Sequence, residues 1–130
     1  MTALTPNMLS RLIEGDLSDI EVLCSQPQSV IRTTASLLPT LVLRKHSLKK
    51  VLTSLKRKEI SPETINTWAW FVRSGYVPSE RPPITPIDIE YDPADEDLIV
   101  EIMSRLCELG DTIDGEITTE ELENFLADLE

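Results

Sequence analysis

The chain has 130 residues, a formal net charge of −11, 41% hydrophobic residues and 27% charged residues. That composition excludes wholesale disorder, and the length is enough to bury a core without metal or disulfide staples. Cys24 and Cys107 sit in no C-x-x-C or Cys/His pair, so they read as two reduced thiols, not as a disulfide framework.

The predicted elements follow from spacing and from helix-end chemistry. Thr5-Pro6 is a cap followed by a first-turn proline. Leu9, Leu12 and Ile13 then share one face, and Gly15 ends a short helix. Ser18 is placed to cap a second short helix through Ile20, Leu23 and Cys24, which Gln26-Pro27 stops. Residues 29–43 read as helix broken at Pro39, with a strand as the alternative. Leu48, Val51, Leu52 and Leu55 mark an amphipathic helix whose other side carries Lys49, Lys50, Lys56 and Arg57. Ser61-Pro62 opens its partner, with Ile65, Trp68, Ala69 and Val72 on one stripe and Gly75 at the end.

Residues 76–93 carry Pro78, Pro82, Pro83, Pro86 and Pro93, which forbid helix over most of that link. Ile87, Ile89 and Tyr91 alternate with Asp88, Glu90 and Asp92. With no second strand evident, the pattern is read as an extended strap in preference to an edge strand. Asp92-Pro93 opens a helix with Leu98, Ile99, Ile102, Met103, Leu106 and Leu109 on its apolar face, ended by Gly110. Thr118 and Glu121 match a capping box before Leu122, Phe125, Leu126 and Leu129. The expected fold is therefore mainly α. It is a single small compact bundle of five to seven helices, with the proline-rich strap between the central hairpin and the C-terminal helix pair.

Charge is unevenly spread. Residues 1–87 hold 11 basic and 7 acidic groups, whereas residues 88–130 hold 16 acidic groups and only Arg105. This split predicts attraction for a protein with a basic surface and repulsion of free nucleic acid and anionic membrane. It equally suits a face that only keeps the protein soluble. The candidate partner-binding residues are Asp95, Asp97, Glu101, Glu108, Asp111, Asp114, Glu116 and Trp70. Trp70 falls outside the apolar stripe of its helix and is either the edge of a second buried layer or an exposed anchor. Lys45, Lys49, Lys50, Lys56, Arg57 and Lys58 have the charge for phosphate contacts, but no aromatic residues interleave with them. No apolar run spans a bilayer, and the N-terminus lacks a signal peptide's basic start and apolar stretch. The expected location is cytoplasmic.

No catalytic reading stands out. His46 is the only histidine, no phosphate-binding glycine motif or H-E-x-x-H is present, and neither catalysis nor a cofactor is expected. Residues 114–122 resemble the second half of an EF-hand calcium loop. Gly115 takes the turn position, Ile117 the position that pairs across loops, and Glu121 that of the closing ligand. Gly110 and Thr112 then fall where the loop requires acidic ligands, so tight calcium binding is not expected. An Asp-Gly turn followed by a capping box produces the same residue types.

From about Val51 onward the order of features is similar to small helical bacterial proteins of the toxin-immunity type. The likeness rests on Ile60-Ser61, the helix with Trp68-Ala69, the leucine-rich acidic helix, Asp114-Gly115, Ile117-Thr118 and the short closing helix. The resemblance implies an inhibitor that neutralises a cognate toxin, many of which are nucleases with basic surfaces. Two other classes compete with it. One is an acidic mimic of nucleic acid that blocks DNA- or RNA-binding enzymes, and the other is a degenerate EF-hand-like regulatory module.

Overall fold

Hydroxyl and glycine chemistry sets the first helix. The computed structural model describes residues 4–76, 86–108 and 118–129. Helix α1 (Pro6–Ile13) starts where the Thr5 hydroxyl accepts the Met8 amide at 3.2 Å. Gly15 follows at φ +97°, and a Cβ there would lie 2.6 Å from the Ser47 carbonyl oxygen. Only glycine lets the end of α1 press so closely against a later helix. Ser18 does not cap α2 (Ile20–Cys24). Its amide and hydroxyl both bond the Asp16 carboxylate instead, and Asp19 takes the cap position without a side-chain bond. Those bonds, the hydroxyl's first, hold the Asp16 carboxyl below its ordinary pKa.

Helix α3 covers Gln28–Ser36 and strand β1 covers Leu41–Leu43, so the segment predicted as broken helix is helix as far as Ser36 and a short strand after Pro39. β1 buries Leu41 and Leu43 and leaves Val42 half-buried, the alternation of a strand that covers a core. Helix α4 (Lys45–Lys56) buries the expected Leu48, Val51, Leu52 and Leu55. It ends in two bonds, from the Lys58 amide to the Leu55 carbonyl and from the Glu59 amide to the Ser54 carbonyl. This is the Schellman arrangement, and its left-handed position, φ +60°, is occupied by Lys58 where glycine is favoured. Lys58→Gly is therefore expected to raise stability by about 1 kcal/mol in urea unfolding. An unchanged or lower midpoint would contradict that reading of the turn.

Helix α5 (Pro62–Ser74) is capped by the Ser61 hydroxyl, which accepts the Thr64 amide, and Gly75 ends it in the left-handed region. It buries the expected Ile65, Trp68, Ala69 and Val72, together with Phe71. Trp68 is fully enclosed and donates from Nε1 to the Leu12 carbonyl at 2.8 Å, tying α5 to α1. Gln28 Nε2 donates to the Gly75 carbonyl, joining the start of α3 to the end of α5.

The expected strap is a strand. β2 (Ile89–Tyr91) lies parallel to β1, with Leu41 opposite Ile89, Val42 opposite Glu90 and Leu43 opposite Tyr91. The ladder extends to the Asp92 amide, which donates to the Leu43 carbonyl. Parallel strands need a crossover, and here the α4–α5 hairpin supplies it. Most of the proline-rich link lies outside the described residues.

Helix α6 (Glu96–Leu106) begins later than Asp92-Pro93 implies. Asp92 instead holds a turn, accepting the Ala94 amide on its carboxylate and the Asp95 amide on its carbonyl. Ile99, Ile102, Met103 and Leu106 face the core. Leu109 and Gly110 lie outside the described residues. Asn66 of α5 donates to the Leu106 and Cys107 carbonyls, satisfying the end of α6.

Helix α7 (Thr119–Asp128) is capped by Thr118, whose hydroxyl accepts the Glu121 amide. It buries Leu122, with Leu129 just past its end and Phe125 and Leu126 half-buried. Glu121 and Glu123 flank this apolar face on opposite sides. Glu121 meets Arg105 of α6, and Glu123 meets Lys56 of α4 at 3.4 Å. α7 therefore lies in a trough between α4 and α6, with an ion pair on each wall. Among the described residues, seven helices and two strands share one apolar cluster running from Leu4 to Leu129. Each fully buried Leu or Ile contributes about 1.5–3 kcal/mol of transfer free energy. No helix among the described residues is long and apolar enough to cross a membrane.

Candidate functional site

Helix periodicity divides the exposed acids of α6 into those that face outward and those that do not. With Ile99, Ile102, Met103 and Leu106 turned inward, residues 97, 101, 104 and 108 fall on the opposite side of the helix. Asp97, Glu101 and Glu108 are all exposed and form a ridge about 16 Å long at the helical rise of 1.5 Å per residue. Asp95 does not belong to the ridge. It occupies the N-cap position, half-buried, on the core side of the helix. Asp111, Asp114 and Glu116 lie outside the described residues.

Both flanks of the ridge are defined by contacts. On the α7 side, Arg105 holds Glu121 with two bonds, Nε to Oε2 at 2.6 Å and Nη2 to Oε1 at 3.2 Å. Arg105 also reaches Glu108 at 3.5 Å. Its guanidinium is largely covered, with 18% of the side chain exposed, so this pair is screened less than a surface pair. The same fork occupies both oxygens of the carboxylate that the calcium-loop likeness makes the closing ligand. Only the amide half of the expected capping box forms, because the Glu121 side chain turns to Arg105. No group of three His, Cys, Asp or Glu among the described residues is placed to hold a metal ion.

On the other flank, α5 packs against α6 and carries exposed aromatic surface. Asn66 bonds the end of α6, and Arg73 interacts with the Cys107 thiol. Trp70 lies between Asn66 and Arg73 along the same helix row. It is 38% exposed and meets Tyr76 edge-on, with ring centroids 6.2 Å apart and planes at 82°. Val100, 43% exposed, falls on the α6 flank that also carries Cys107. Burial pushes the Cys107 thiol above its ordinary pKa, against the pull of Arg73. Burial does the same to the half-buried Tyr91 hydroxyl. Both groups are therefore neutral near pH 7 and add no charge to the ridge's edge.

Of the predicted residues, the structure places Asp97, Glu101 and Glu108 on the outer face of α6 and leaves Trp70 exposed on α5, the helix packed against it. Val100 and Arg105 are additions that sequence reasoning missed. The signal for Val100 was an apolar residue outside the stripe of its helix. For Arg105 it was the only cation among 16 acids in residues 88–130. The basic helix faces elsewhere. Its Lys49, Lys56 and Arg57 line a groove of about 530 Å³ whose far wall is Glu123, Leu126 and Ala127 of α7. His46 is exposed on the first turn of α4. The chain matches no protein-family model, no curated protein and no solved structure.

Proposed function

We propose that the protein is a non-catalytic, immunity-type inhibitor that neutralises a toxin or other basic protein partner through the α6 ridge. One observation carries this reading: three outward acids, Asp97, Glu101 and Glu108, share α6 with an exposed Val100, and α5, packed against it, exposes Trp70. An exposed aromatic anchor with a polar rim is the anatomy of a partner-binding surface. Purely solubilising charge needs no apolar neighbour. The acids supply long-range attraction for a basic protein and speed its encounter, while Trp70 and Val100 supply the area that desolvates on contact. The Arg105 fork fixes the C-terminal end of the ridge, so the charges are presented on a rigid element.

The direct test is a pull-down from native lysate followed by calorimetric titration of the captured basic protein. Binding should weaken at least about tenfold when salt rises from about 50 to 200 mM, as close surface charge pairs are screened. Trp70→Ala should weaken it by a similar factor, about 1.4 kcal/mol, with an unchanged Tm. Salt-insensitive binding, or full affinity in a D97N/E101Q/E108Q variant, would sink the proposal. Inhibition of several unrelated nucleic-acid enzymes would point instead to a nucleic-acid mimic.

A further inference from the structure

Strand β2 is paired with β1 along one of its edges. Main-chain groups of successive residues in a strand point to opposite edges. The Asp92 amide bonds the Leu43 carbonyl of β1, whereas the Ile87 amide turns the other way, to the Gly75 carbonyl at the end of α5. Glu90 therefore faces β1, and the N–H and C=O groups of Ile89 and Tyr91 face away from it. Among the described residues, nothing bonds those groups. An unpaired edge of this kind is a template for another strand.

The two faces of β2 differ in chemistry. Ile89 and Tyr91 lie in register with buried Leu41 and Leu43, on the core side, yet both are only half-buried. Asp88 and Glu90 are exposed on the opposite face. Among the described residues they form no ion pair, although Arg32 lines the same groove.

Charge decides what the edge accepts. Two copies joined antiparallel here must set Ile89 and Tyr91 against each other to exchange bonds. Asp88, Glu90 and Asp92 of one copy then meet the same acids of the other, and like charges directly opposite destabilise a ladder. A strand with Lys or Arg at alternate positions meets the acids favourably, and apolar residues between them cover Ile89 and Tyr91. We propose that β2 takes, as a third strand, an extended segment of another protein whose residues alternate basic and apolar. Main-chain bonds hold the segment, and the acids select it. The site lies on β2, not on the α6 ridge, and does not rest on the inhibitor reading.

The probe is a short capped peptide alternating lysine and valine, titrated into the full chain in about 0.15 M salt and followed by amide NMR and hydrogen exchange. It should bind with a Kd of about 1 mM or below. Exchange should slow at the Ile89 and Tyr91 amides and stay unchanged at Glu90, which already faces β1. A glutamate–valine counterpart should bind at least about tenfold more weakly, and D88N/E90Q should weaken the lysine peptide at least about threefold. Ile89→Pro removes one outward donor without removing a bond to β1, and should abolish the slowing at Tyr91. D88N/E90Q serves if the proline variant misfolds. D97N/E101Q/E108Q should bind the peptide within about twofold of the wild type, as distant exposed charges are screened. Loss of binding in that variant would move the peptide to the ridge and overturn the edge site, leaving the inhibitor reading intact. No slowing at Ile89 and Tyr91 up to about 5 mM peptide, or equal binding of the two peptides, would also overturn it. So would the same slowing in the chain alone as its concentration rises, which would make a second copy the occupant.

Discussion

Trp68→Ala is expected to lower the stability of the protein by about 3–5 kcal/mol, the range for removing a large buried aromatic side chain. The total for a domain of this kind is about 5–15 kcal/mol, so the variant sits at the edge of folding at room temperature. The reason is position as much as size. Trp68 is fully enclosed, and its indole N–H donates to the Leu12 carbonyl at 2.8 Å, joining the first helix to the middle of the chain. Trp68→Phe separates the two contributions. It keeps most of the apolar contact and loses the bond, but the Leu12 carbonyl still accepts the Gly15 amide. The phenylalanine variant should therefore lose about 0.5–1.5 kcal/mol for the bond, plus a smaller packing cost. Urea unfolding followed by circular dichroism measures both. Equal midpoints for the alanine variant and the wild type would show that the α1–α5 contact is not part of the stable core.

The second large effect is expected at Gly75. Its φ is +82°, and a Cβ there would lie 2.4 Å from the Ile87 carbonyl oxygen, 2.8 Å from Pro86 Cβ and 2.9 Å from the Ile87 amide nitrogen. Two of those neighbours are backbone atoms, which cannot turn aside as a side chain can. Gly75→Ala therefore costs about 1–2 kcal/mol for the left-handed conformation and a further amount for displacing residues 86–87. The same displacement breaks the bond from the Ile87 amide to the Gly75 carbonyl, which also accepts Gln28. A total of about 2–4 kcal/mol follows from strain and overpacking together, or roughly 8–16 °C in Tm for a chain of this length. A drop of less than about 2 °C would mean that residues 86–87 do not approach Gly75 as closely as the structure has it. Lys58 occupies a similar left-handed site without such crowding, and glycine there has the opposite expected sign.

Much of the helical frame was legible in the sequence because its signals are local. Thr5-Pro6, Ser61-Pro62 and Thr118 cap helices by reaching three residues ahead, and apolar residues three and four apart face one core. The strands were not legible, because each is three residues long and its partner lies nearly fifty residues away. Ile87 to Tyr91 showed the right period, but Leu41 to Leu43 offered too few residues to separate strand from helix. Ser18 failed as a cap because Asp16, two residues earlier, competes for its hydroxyl and amide. On the candidate surface, helical spacing placed Asp97, Glu101 and Glu108 correctly. Asp95 sits at the cap, because the helix starts after an Asp92 turn. The α7 trough depends on which helices are neighbours, and sequence spacing holds no information on that.

The pairing of β1 with β2 also sets how the molecule reaches its fold. A helical bundle ordinarily assembles from contacts close in sequence and folds quickly. Here the ladder between Leu41–Leu43 and Ile89–Tyr91 joins segments that lie on either side of the α4–α5 hairpin and the link after Gly75. The chain must lose the entropy of a long loop for a ladder of only three residue pairs. Folding is thus expected to be slower than the helix content alone implies. Substitutions in β1 or β2 that weaken the ladder should act mainly on unfolding if the strands dock last, and on folding if they close first.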